Sequence, residues 1–364
     1  MAVVTAWLSA GLAGAVHQKP AGTLGSKRGR AGLGENDRVT IATQTLAEIA
    51  LDKISVLGAN DGARSSFTAR AGDWLIALDP DLNVLGRWRA AREHRGYHAT
   101  CPGRGLALIS GLEEVRLLDH ASRVRWRYPH PPWNPNSAFE SGCAWFDEAG
   151  QPYAVVPAAS YDHCLVLRLE PGSGQLLAQA RIEARPAGIV PVHHRDGWVG
   201  LSEGEGQDAA RTWWVRSAPQ PGGQAGIEVL DAGWPDQILT DVDPAGAQVI
   251  TTPHGCFLST ALVVRSFPGL EIVRSVEPPP GEHWDCTAFF AGDMIVNALT
   301  GPEHGQRRFV AVNPHGKIAD LNEDQDASLR PAAGGTWLSE TGTMIRSRRM
   351  MRDDEEVPGQ MPLW

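Results

Sequence analysis

The chain has 364 residues with 40 Gly and 26 Pro, and its 42% hydrophobic and 21% charged residues exclude wholesale disorder. No uninterrupted apolar run approaches the roughly 18 to 20 residues of a membrane-spanning helix, so a soluble globular protein with no membrane partner is expected. The formal net charge of -9, from 42 acidic and 33 basic residues, opposes the phosphate-neutralising contacts of nucleic-acid binding and argues against that class.

Residues 1–36 differ from the rest. An apolar start, Ala2 to Val16, precedes a basic, Gly-rich stretch from Gly25 to Gly34. A secretory signal would carry Lys or Arg before its apolar stretch, yet none occurs before Lys19, and His17-Gln-Lys-Pro20 stands where a small-residue cleavage site belongs. The expectation is a flexible extension on a cytoplasmic protein, with cleavage and export as the alternative.

From residue 37 to 350 short apolar runs flank turns at regular intervals. Trp74 to Trp88 turns at Asp79-Pro80-Asp81, Val115 to Trp126 after Asp119, and Leu165 to Leu177 after Glu170. Trp213 to Gly222 turns after Ser217, Ala261 to Val273 after Ser266, and Phe309 to Ile318 after Asn313; a further copy, Arg38 to Ile49, turns near Thr43. The turns recur roughly every 45 residues, the period of a four-stranded propeller blade. Runs of four to eight strand-type residues punctuated by Pro, Gly, Asp and Asn, with no sustained helical period, exclude a helical solenoid.

Two more strands fit between successive turns, as in Ile54 to Ala59 with Ser65 to Ala69 and Ile238 to Val242 with Gln248 to Thr252. After Asn313 only Leu329 to Ala332, Trp337 to Glu340 and Met344 to Arg346 remain, too little for another complete unit. Pairing them with Val39 to Ile49 would close the ring and leave no open gap between its ends. The predicted fold is all-β, a seven-bladed β-propeller closed by N- and C-terminal strands in one blade, with six and eight as open counts. The stretches ending at Trp88 and Trp126 resemble the quinoprotein-like and WD-repeat-like superfamilies in their order of apolar strand, Asp, turn, apolar strand and Trp. The Gly-His and Trp-Asp marks of WD repeats are absent from the expected blade positions, Trp284-Asp285 falling at a blade's start instead, and the adjacent Cys pair of quinone-binding dehydrogenases is missing, so the resemblance implies fold and no cofactor.

Five separated cysteines without a CxxC pair, Cys101, Cys143, Cys164, Cys256 and Cys286, read as free, mostly core thiols of a reducing compartment. Roughly where innermost strands would begin stand Asp61, His98, Glu140, His193, Asp241 and Asp285, with Arg330 at the corresponding place after Asn313. Of these, His98, Glu140, Asp241 and Asp285 form the candidate metal set: converging at the channel mouth they could hold a divalent cation such as calcium and activate water in a lactonase- or esterase-like hydrolase. Gly200-Leu-Ser-Glu-Gly204 fits GxSxG formally but leads into strand-like Trp213-Trp214 rather than a helix, so Ser202 is read as a loop serine. Most of the 13 Trp, including Trp88, Trp126, Trp145, Trp198 and Trp337, are expected between blades. Trp133 and Trp234, flanked by prolines, are the candidate partner-binding residues on presenting loops. Residues 351–364 read as a solvated acidic tail. The favoured function is a monomeric, non-enzymatic scaffold that binds a protein or peptide and needs no cofactor; the metal-dependent hydrolase is the alternative.

Overall fold

The protein is described by a computed structural model covering residues 40–51, 54–90, 96–133, 142–185, 188–205, 209–219, 225–234, 236–254, 261–301 and 307–351. The strands form seven small sheets, each with its own consecutive strands. Blade 1 is Ile54–Ala59, Phe67–Ala71, Trp74–Leu78 and Val84–Arg89, ordered from the axis outward. Blade 2 runs from Ala99–Cys101 to Val124–Pro129, blade 3 from Ala144–Phe146 to Leu176–Ile182, blade 4 from Gly188–His193 to Ala225–Asp231 and blade 5 from Gln237–Val242 to Ile272–Val276. Blade 6 pairs Met294–Thr300, Arg307–Val312 and Ile318–Leu321, and its inner edge is split into His283–Trp284 and Phe289–Ala291. The ring closes in blade 7, where Ser328–Pro331, Trp337–Thr341 and Met344–Met350 are completed on the outside by Thr43–Ala50, antiparallel to Met344–Met350. The blade count is therefore seven.

Each blade is buried on both faces, which is why its strands read as near-continuous apolar runs. Along Cys164–Leu169, Cys164 and Val166 face blade 4, while Leu167 and Leu169 face blade 2, the two-residue period of a strand. The result is not one core. Seven apolar clusters lie among the described residues, one at each joint between neighbouring blades. The joint of blades 3 and 4 holds Trp133, Trp145, Tyr153 and Trp213, and the joint of blades 6 and 7 holds Phe289, Phe309 and Trp337.

The innermost strands are sheet edges, so part of their N–H groups find no partner within their own blade. Side chains of the preceding blade accept them. Glu340 accepts the N–H of Val56 at 3.0 Å, Asn60 that of Thr100 at 3.1 Å, Ser202 that of Leu239 at 3.0 Å and Asp241 that of Phe290 at 2.8 Å. Trp88 and Trp126 extend the same logic outward, each indole donating to a carbonyl of the next blade, Gly105 at 3.3 Å and Pro171 at 3.0 Å.

Three sequence expectations change. Ala209–Pro219 runs past Ser217 and pairs through Pro219 with Ala225, so no turn follows Ser217. No hairpin turns at Thr43. Thr40–Ile41 instead runs parallel to Ile318–Leu321 of blade 6, and the chain steps directly into blade 7 at Thr43. The second strand of blade 1 begins at Phe67 rather than Ser65, because residues 60–66 form a loop with a role of its own. The extension assigned to 1–36 and nearly all of the tail assigned to 351–364 lie outside the described residues.

Candidate functional site

The loop Asn60–Ser66 leaves the innermost strand of blade 1 and crosses the axis. Gly62 packs against backbone atoms of His194 and Arg195 in blade 4, where an added Cβ would lie 2.5 Å from the Arg195 nitrogen. Only glycine permits that approach. Two residues later Arg64, in the left-handed region at φ 55, sends its guanidinium to the Asp241 carboxylate and the Val242 carbonyl of blade 5, both at 2.5 Å. Blades 4 and 5 lie opposite blade 1 in a ring of seven, so this loop plugs one mouth of the channel. Asp61 stiffens it by accepting the Ser65 N–H at 2.9 Å and hydroxyl at 2.5 Å.

Beneath the plug is an axial cavity of about 160 Å³ walled by innermost-strand residues, Leu57, Val190, Ile238 and Leu329 among them, and also lined by Asp61, Arg64, Tyr97, His193, Asp241 and Arg330. Above the plug, on the face of the loops that join first to second strands, lies a wider cavity of about 660 Å³ bounded by blades 1 to 4. Its wall contains Trp145 stacked on Tyr153, ring centroids 5.4 Å apart, and Trp198 beneath the Arg216 guanidinium at 4.2 Å. Asp61, Asp147, Glu148 and Asp196 stand at its rim against Arg195 and Arg216, and Arg216 is already paired with Glu228 at 2.7 Å.

Burial sets the protonation of the axial groups. His193 touches cavity space but sits deep in the ring, and desolvation pushes its pKa down to about 4, with Asp61 pulling the other way. Burial also raises the Asp241 carboxyl, opposed by Arg64 and by the N–H groups of Phe290 and Val242. The Tyr97 phenol is raised by burial and drawn back by nearby Arg330.

The three described members of the proposed metal set are each engaged elsewhere. Asp241 is committed to Arg64 and Phe290, Asp285 is paired with Arg307 at 2.9 Å, and His98 accepts the Ser110 N–H on Nδ1 at 3.1 Å. Glu140 lies outside the described residues, among which no group of three or more His, Cys, Asp or Glu could hold a metal ion. An acid already neutralised by a guanidinium is a poor cation ligand, so the described donors Asp241 and Asp285 are ill suited to a divalent ion. Adjacent His193 and His194 point apart as a strand requires: His194 is buried, bonded to the Gly246 carbonyl at 2.8 Å and packed on Phe267.

The two presenting tryptophans are also corrected. Trp133 is 1% exposed and packs on Cys143 and Trp145, its backbone N–H bonded to the Leu112 carbonyl; Trp234 is 6% exposed under Arg265. Both rings are turned inward rather than presented. Ser202 lies within strand Val199–Glu205, buried and bonded to Thr212 at 2.9 Å, so it is neither a nucleophile nor a loop serine. Sequence reasoning missed Arg64 and Tyr97. Asp61-Gly62 marks a turn, but nothing local reveals that Arg64 meets a carboxylate 177 positions away.

No protein-family model matches the chain, and no curated protein is detectably similar to it. Solved structures with a similar arrangement include the Dos1 propeller, at 7% identity over 84% of this chain and 95% of that one, TM-score 0.49. BamB from Moraxella catarrhalis is 11% identical over 86% and 99%, TM-score 0.43, and BBS1N, solved in complex with ARL6DN, is 10% identical over 85% and 96%, TM-score 0.46. These are similarities of fold, and no residue role passes from them to this chain.

Proposed function

We propose that this propeller is a non-enzymatic scaffold that binds a protein or peptide at the cavity above the plug, and that the bound segment is basic. The cavity itself carries the reading: at about 660 Å³ it matches the size of recognition pockets, and it combines aromatic walls with a rim on which carboxylates outnumber free guanidinium groups. Aromatic anchors inside a polar rim are where interface energy concentrates. The hydrolase alternative is not favoured, because Asp241, an acid lining the axial cavity, is held by Arg64.

Selection of peptides from a displayed random library on the purified protein tests this. The expected outcome is enrichment of Lys- or Arg-bearing sequences whose binding weakens in Glu148→Lys and Asp196→Lys, both exposed rim positions that leave the core untouched. Peptides that bind the rim variants as well as the parent protein, or no enrichment at all, would overturn it.

A further inference from the structure

We propose that the axial cavity beneath the plug is a second site, for a small carboxylate on a short apolar stem, held by Arg330. The cavity measures about 160 Å³, and a dry apolar void of roughly 150 Å³ is known to accept benzene, so the space suits a stem of that size. Leu57, Val190, Ile238 and Leu329 supply apolar wall from four different blades.

Arg330, on the innermost strand of blade 7, lines this cavity and has no ion pair among the described residues. Its one hydrogen bond runs from Nη1 to the neighbouring Leu329 carbonyl at 3.2 Å. The acids that could have neutralised it are engaged elsewhere. Asp241 holds Arg64 and the Phe290 N–H, Glu340 accepts the Val56 N–H at 3.0 Å, and Asp61 accepts both Ser65 donors. Glu340 lies near enough to feel the charge of Arg330, and Asp61 and Asp241 line the same cavity, yet none of the three bonds to it; a ligand carboxylate supplies that direct partner with the geometry guanidinium groups favour. Two further groups line the same space. Tyr97 brings a phenol close enough for Arg330 to act on its ionisation, and Arg64, 7% exposed, has an Nη1 with no hydrogen-bond partner.

The carboxylate could come from a free acid or from the apolar C-terminal residue of a chain. Calorimetric titration of the full chain with hexanoate, phenylacetate and acetyl-glycyl-leucine, each beside its neutral amide, tests the site and separates the sources. The acids are expected to bind at least about tenfold more tightly than the amides, since a hydrogen bond to a charged partner is worth that factor or more. Arg330→Gln should abolish the difference and Arg330→Lys keep part of it, with melting curves confirming that each variant is folded. If Arg330→Gln does not fold, Arg330→Lys and Tyr97→Phe carry the comparison. Binding of hexanoate or phenylacetate without the dipeptide assigns a free acid; a dipeptide that competes with phenylacetate assigns a chain terminus. Equal binding of acids and amides, acid binding unchanged in Arg330→Gln, or no heat from any acid at about 10 mM, weaker than ligands of this size ordinarily bind, overturns the proposal. None of these variants touches the upper rim, so failure here leaves the peptide reading to its own test.

Discussion

A single ion pair decides how the channel is built. Arg64 and Asp241 are both buried, and removing one partner strands the other charge. Asp241→Ala should therefore cost about 3 to 5 kcal/mol in urea unfolding, whereas Arg64→Met with Asp241→Leu should recover most of it, because an apolar pair of similar volume carries no desolvation cost. If the double variant is as unstable as the single, the pair is more than a plug. His193 offers a pH signature. Its folded pKa, about 4, lies below its unfolded value, so the neutral imidazole contributes stability above pH 6.5 or so that is lost as the pH falls towards 4. Buried Asp241, Glu323 and Glu340 have raised pKa values and act with the opposite sign, gaining stability on acidification. Comparing melting temperatures of the parent and His193→Gln across pH 4 to 7 cancels those acids. The parent should lose more than the variant as pH falls, and parallel curves would remove His193 from the account. At this scale the sequence was a partial guide: inner-strand polarity singled out Asp241, His193 and Arg330, while which groups pair with one another depends on ring closure and has no local trace.

At the level of strands and turns, the periodic signal was legible because propeller turns demand particular residues. Asp79, Asp119, Asp147, Asp243 and Asn313 each accept backbone N–H groups that close the turn they begin. Ser217 misled because the turn signal of Pro219, Pro221 and Gly222 lies just beyond it, while the strand itself runs on through Pro219. Thr43 kept its place in the register because the outermost strand of blade 7 starts there, although the connection is made by chain ends rather than a loop. The tryptophans followed the same rule. Those in strands were foreseen between blades; the proline-flanked Trp133 went there too, because a large apolar ring gains more from the joint of blades 3 and 4 than from solvent. Trp126 shows how a joint is held. Trp126→Phe keeps the packing and loses the bond to Pro171, an expected cost of about 1 kcal/mol, while Trp126→Ala leaves a cavity and should cost about 3 to 5 kcal/mol. A Phe variant as unstable as the Ala variant would place the indole N–H, rather than the ring, at the centre of that joint.

Seven separate joints arranged in a circle make stability a property of the ring. In a linear repeat array each unit adds its own term and a term for each neighbour, and the ends fray. Closure gives every blade two neighbours, and here one closing element is Thr43–Ala50, backed by buried Glu323, which accepts from Trp337 at 3.3 Å, Ser339 at 3.1 Å and Arg348 at 3.2 Å. A chain starting at residue 51 keeps blades 1 to 5 intact in sequence, takes Thr40–Ile41 from the edge of blade 6, deprives blade 7 of its outer strand and weakens its joint with blade 1, where Ala47 and Ile49 pack on Val56, Leu338 and Ile345. The ring then becomes an array with two ends. Hydrogen exchange should show protection falling first in blades 7 and 1 and last in blades 3 and 4, whose joint gathers Trp133, Trp145, Tyr153 and Trp213. The intact chain should instead lose protection in all seven blades together. Uniform loss in the shortened chain would mean that the joints couple so strongly that no blade survives without the whole, and the closing strand would then be a condition for the fold rather than one contribution among seven.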